Sequence, residues 1–120
     1  VIVVAQDPTR AARTEAALRE LEGWRVDVST PRRLEALLAE HPEAIVTLVL
    51  DEAASRWMLR TIRRWPRRPA IIAVSDDPAR LWTSATRALG LRAALPLDAT
   101  AEELAAAVRA VHAGLLALHP

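Results

Sequence analysis

Five apolar runs recur along the chain, and four of the intervals between them carry amphipathic periodicity. Val1-Ile2-Val3-Val4, Ile45-Val46-Thr47-Leu48-Val49-Leu50 and Ala70-Ile71-Ile72-Ala73-Val74 are nearly continuous, the pattern of parallel strands covered on both faces. Trp24-Arg25-Val26-Asp27-Val28 alternates apolar with polar residues, which predicts a second strand nearer a sheet edge. Ala93-Ala94-Leu95 predicts a short fifth strand.

Helical periodicity follows each run. Asp7-Pro8 supplies an N-cap with proline at the first helical position, then Ala11, Thr14, Leu18 and Leu21 share a face and Gly23 closes the segment. Thr30-Pro31 repeats the signal before Leu34, Leu37 and Leu38, and His41-Pro42 ends it. A third helix is predicted from near Ser55, with Met58, Ile62 and Trp65 inward and Pro66 as its stop. Asp77-Pro78 opens a fourth, carrying Leu81, Trp82, Ala85 and Leu89 and closed by Gly90. Thr100-Ala101-Glu102-Glu103 is a capping box, and Leu104, Val108, Val111 and Leu115 carry the last helix.

Strand and helix therefore alternate through 120 residues, enough for one core and too few for two. Right-handed crossovers between parallel strands turn that alternation into a single α/β domain over 1–120. The expected architecture is a (βα)5 doubly wound sheet of five parallel strands with helices on both faces.

Composition narrows the chemistry. All sixteen basic residues are arginine, so no lysine exists for a phosphate loop, a Schiff base or neutralisation of a phosphoryl group. A net charge of +1 gives no long-range steering toward nucleic acid, and no nucleic-acid contact by this domain is expected. No apolar stretch approaches the roughly 20 residues of a membrane span. No basic segment precedes the first apolar run and there is no cysteine, so a cytoplasmic location is expected. His41, His112 and His119 are dispersed and show no metal-ligand spacing. Arg56, Arg60, Arg63, Arg64, Arg67 and Arg68 form a basic stripe, read as a solvated face because no recognition-helix pattern accompanies it. Leu115-Leu116-Ala117-Leu118 is richer in leucine than a frayed end and suits packing on a further domain or a second copy.

Three segments carry a family resemblance. Ala70 to Asp77 is similar to the fourth strand of the receiver domains of bacterial two-component response regulators, which ends in a small hydroxyl residue. Ala88 to Thr100 resembles their stretch through the fifth strand, and Ala101 to Gly114 their final helix in regulators with a LuxR-type helix-turn-helix output. The resemblance implies a flavodoxin/receiver-like sheet with strand order 2-1-3-4-5. It also implies phosphoryl chemistry at the carboxyl edge. There an aspartate ending the third strand attacks the phosphoryl group, an acidic pair after the first strand helps to bind Mg²⁺, a hydroxyl contacts phosphoryl oxygens, and a lysine neutralises them.

Matched position by position, the chain keeps two of these. Asp51 stands at the candidate phosphoacceptor position and Ser75 at the hydroxyl position. The acidic pair falls on Ala5 and Gln6, with Asp7 one residue later at the helix-capping place. The lysine position falls on Leu97, and the switch aromatic of the fifth strand on Ala94. A register without gaps puts Thr47 or Leu48, not Asp51, at the acceptor position.

The resulting expectation is an atypical pseudo-receiver, not an enzyme, in which Asp51 is vestigial and caps the following turn. No cofactor is expected, Mg²⁺ included. The module is expected to form a homodimer, to control an attached helix-turn-helix output domain, and to meet a sensor kinase or another protein partner. Two alternatives stay open: a working phospho-accepting receiver using Asp51, and a small-molecule-sensing α/β domain in which Leu97 lines a pocket.

Overall fold

Strands form where the apolar runs fall, and the computed structural model describes residues 2–5, 8–21, 23–30, 32–50, 60–64, 68–114 and 117–118. The strands are β1 (Ile2–Ala5), β2 (Asp27–Ser29), β3 (Ile45–Leu50), β4 (Ala70–Ser75), β5 (Leu91–Pro96) and β6 (Ala117–Leu118). They make one sheet in the order β2-β1-β3-β4-β5-β6, and every pairing is parallel. The helices are α1 (Pro8–Arg19), α2 (Leu34–Glu40), α3 (Pro78–Leu81), α4 (Ser84–Ala88) and α5 (Ala101–His112). Residues 60–62 are helical as well.

Two-residue alternation sends each strand's side chains to opposite faces, and each face finds its own cover. Ile45 and Val49 of β3 join Ile72, Val74, Ala93 and Leu95 under α1 and α5, with Leu18, Leu104 and Val108 packed on them. Val46, Leu48 and Leu50 join Ile71, Ala73 and Leu91 on the other face, beneath Leu34 of α2 and Ile62. All six residues of β3 are buried, as expected for a central strand covered on both sides. Leu18, Leu34 and Ile72 lie almost wholly out of solvent. Each contributes about 1.5–3 kcal/mol of transfer free energy against the entropy of ordering the chain.

Gly90 sets the entry into β5. Its φ of 115° belongs to glycine, and a Cβ there would stand 2.5 Å from the Pro69 carbonyl oxygen. The Gly90 carbonyl accepts the Ile71 N–H at 2.9 Å, and the register then skips Arg92 opposite Ile71 and Ile72.

The structure departs from the sequence expectations at five places. A sixth strand, β6, pairs with β5, whereas the apolar pattern had five strands and ran the last helix on to Leu115. That helix ends at His112, and Gly114 at φ 83° turns the chain, a reversal for which glycine is suited. The second strand starts at Asp27 and not Trp24, because Trp24 packs edge-on against His112 with ring centroids 4.9 Å apart. The helix opened by Asp77-Pro78 breaks into α3 and α4. There Thr83 and Thr86 form a capping box, and the Thr86 hydroxyl donates to the Leu81 carbonyl at 2.5 Å. Hydroxyl side chains that bond local backbone compete with helix continuation, which accounts for the break. Finally, α2 has Arg33 at its N-cap without a side-chain cap, so Thr30 does not open it. Pro31, Ser55, Met58, Trp65 and Pro66 lie outside the described residues, while Ile62 is buried as its spacing predicts.

Candidate functional site at the carboxyl edge of the sheet

Parallel strands that begin level also end level, and this sheet brings four strand ends to one edge. Ala5 pairs level with Val49, Leu50 with Ser75, and Ser75 with Pro96. Chain order reverses between β1 and β3, so the crevice outside their carboxyl ends is where open sheets of this kind place ligands. Ala5 closes β1 and Ser75 closes β4, and Leu97 follows the last residue of β5. Gln6, Asp7 and Asp51 lie outside the described residues. Thr47 and Leu48 sit in the middle of β3, 0% and 2% exposed, so neither stands at the edge.

Ser75 is 3% exposed and its hydroxyl is turned into its own loop. It accepts the Asp77 N–H at 3.2 Å and donates to Asp76 Oδ1 at 3.3 Å. Asp77 in turn accepts the Arg80 N–H at 3.3 Å as the N-cap of α3, with Pro78 behind it. One carboxylate caps and the other is exposed, the arrangement that the Ser75-Asp76-Asp77-Pro78 turn predicts. Ala5 has no side-chain oxygen, and no group of three His, Cys, Asp or Glu converges among the described residues, which leave out Gln6, Asp7 and Asp51.

Leu97 is half-buried and packs toward the α1–α5 core. It also lines a cavity of about 240 Å³ between α1 and the start of α5. Val74, Leu97 and Leu104 give this cavity apolar walls, and Arg13, Thr14, Glu20 and Thr100 bring polar groups to it. The sequence signal for the α1 side was present but weak. Thr14 is the one hydroxyl in an otherwise apolar stripe, and as a stripe position it reads as core. Thr100 was legible only as a cap, and it does cap α5, accepting the Glu103 N–H at 3.1 Å.

The remaining candidates do not join the site. His112 contacts Trp24, His41 stands at the end of α2, and His119 lies outside the described residues. Arg60, Arg63, Arg64 and Arg68 are exposed, and Arg68 donates to the Ala88 carbonyl at 2.9 Å near the end of α4. Arg56 and Arg67 lie outside the described residues. Among the described residues no helix is long and apolar enough to cross a membrane.

No protein-family model matches the chain, and no curated protein sequence does. A solved structure does: the chain is similar to a LuxR family DNA-binding response regulator from Silicibacter pomeroyi. The two share 20% sequence identity with a TM-score of 0.66, over 100% of this chain and 97% of that one. At that identity the likeness speaks to the fold, which is the mixed α/β fold with a parallel sheet found in that response regulator.

Proposed function

We propose that this chain is a receiver-like signalling domain that has kept the fold and does without phosphoryl transfer. It acts as an interaction module in the cytoplasm, pairing with a second copy and controlling an attached helix-turn-helix output domain. The observation that carries the reading is the pair of residues flanking the carboxyl edge. Ala5 ends β1 where a metal-binding carboxylate is needed, and Leu97 follows β5 where a cation is needed. Phosphoryl transfer depends on positioning and on neutralising charge over the transferred group, and neither side chain neutralises anything. Ser75 supports the same reading, since its hydroxyl is engaged with Asp76 and Asp77.

The test is intact mass after incubation with Mg²⁺ and a small phosphodonor. The expected outcome is an unchanged mass. A stoichiometric gain of one phosphoryl, absent in Asp51→Asn, would overturn the proposal and establish Asp51 as a working acceptor. A sensor kinase or another protein would then be the partner that supplies the group.

One observation favours a second reading, in which the domain responds to a small molecule. Leu97, at the position where the lysine is missing, lines the cavity beside α1. A domain without a phosphoryl switch still needs an effector that binds its two conformations unequally, because only differential affinity shifts an equilibrium.

A further inference from the structure

The cavity between α1 and α5 has a division of chemistry that points to a ligand class. Its apolar walls come from the ends of β4 and β5 and from the first turns of α5, through Val74, Leu97 and Leu104. Its polar groups are mostly donors. Arg13 forms no ion pair among the described residues, where Arg19 pairs with Glu15 and Arg25 with Asp27. Thr100 Oγ1 accepts the Glu103 N–H and keeps its own proton to give.

Thr14 is the telling residue. It is 5% exposed, and its hydroxyl makes no hydrogen bond among the described residues. Thr14 lines the cavity, and a buried hydroxyl without a partner on a cavity wall is a hydrogen-bonding site open to a ligand. Among the described residues Glu20 is the one acidic side chain on the wall, and it stands seven residues along the chain from Arg13, beyond the end of α1. The Arg13 end of the cavity is therefore a site for an acceptor that bears negative charge, and the far wall is a site for hydrocarbon.

We propose that this cavity binds a small monocarboxylic acid with an apolar body. The carboxylate accepts from Arg13, Thr14 and Thr100, and the body lies against Val74, Leu97 and Leu104. A volume of about 240 Å³ falls below the ~300–1,000 Å³ of sites for drug-sized ligands, which suits a short aliphatic acid. A charge-assisted bond in a mostly apolar cleft is stronger than its neutral counterpart, so the acid binds in preference to the matching alcohol. The proposal rests on the small-molecule reading of the domain and adds its place and ligand class.

Isothermal titration of the full chain with octanoate and, separately, with octan-1-ol tests it. Octanoate is expected to bind saturably at one site, and the alcohol ~10-fold or more weakly, a tenfold step being one decade in Kd. Arg13→Gln, at an exposed position, is expected to erase the preference for the acid. Thr14→Val is expected to weaken octanoate binding ~10-fold by removing one donor. Leu97→Trp fills the cavity and is expected to block both ligands; if it does not fold, Arg13→Gln and Thr14→Val carry the test. No saturable binding of either ligand sinks both the proposal and the small-molecule reading. Equal binding of acid and alcohol overturns the ligand class alone and leaves that reading standing. Octanoate binding that survives all three substitutions places the ligand elsewhere and overturns the site.

Discussion

Thr47→Val is expected to stabilise the protein. Thr47 lies in the middle of β3, level with Val3 of β1 and Ile72 of β4, and is 0% exposed. Alternation places it on the same face as Ile45 and Val49, under α1 and α5. Its hydroxyl oxygen has no hydrogen-bond partner among the described residues and is sealed from solvent. Desolvating such a group without a partner costs about 1–3 kcal/mol. Valine replaces that oxygen with a methyl of similar size and keeps the β-branched shape a strand favours. The expected gain is about 1–3 kcal/mol, against a total stability of about 5–15 kcal/mol for a domain of ordinary stability. At roughly 4 °C per kcal/mol for a chain of this length, Tm should rise by about 4–12 °C. Urea unfolding followed by circular dichroism measures the same gain as a higher midpoint at unchanged slope. Thr47→Ser is the control, because it keeps the hydroxyl and removes the methyl, and should cost about 1 kcal/mol. A lower midpoint for Thr47→Val, by 1 kcal/mol or more, would show that the hydroxyl has a partner such as a buried water. The reasoning about this strand would then be wrong.

Four further substitutions probe the turns and caps that shape the carboxyl and amino edges. Gly90→Ala is expected to cost about 2–3 kcal/mol or more in thermal or urea unfolding, combining a φ of 115° with a contact on backbone oxygen. Gly23→Ala, where nothing stands within 4 Å of the added carbon, should cost about 1 kcal/mol, and equal losses at both sites would refute the contact argument. Thr100→Ala removes the side chain that caps α5 and should lower stability by about 1 kcal/mol, while Thr100→Asp should restore most of it. A Thr100→Ala protein as stable as the parent by urea midpoint would show that the cap is dispensable.

The fold was largely legible because its signals are local. Continuous apolar runs at Ile45–Leu50 and Ala70–Val74 became β3 and β4, and the Thr100–Glu103 capping box opens α5 as its spacing predicts. The misses have two causes. Trp24 fits a strand pattern, yet its ring is taken by His112 from the far end of the chain. Leu81, Trp82 and Ala85 fit one helix, yet the Thr83–Thr86 box ends it after one turn. Ala117 and Leu118 fit a surface for a further domain or a second copy, yet the open edge of β5 offered them ladder hydrogen bonds. The first and the last are competitions between a local propensity and a partner that only the folded chain brings near, while the Thr83–Thr86 box is itself local and outweighs the helical spacing around it.

The candidate site divides in the same way. That Ala5 and Leu97 offer neither a carboxylate nor a cation follows from residue identity, and no fold changes it. The lack of any lysine is equally final. Which residues face one another was not readable, because Thr14 and Leu97 are 83 positions apart and meet only through the packing of α1 against α5. The sequence by itself determined most of the elements, the layered class and the absence of lysine, since these depend on side-chain type and short-range period. Tertiary structure alone decided that Thr47 is sealed without a partner among the described residues, and that Leu97 and Thr14 share a cavity. Those are contacts between distant segments, set by how strands align and helices cross them, and no local pattern encodes them.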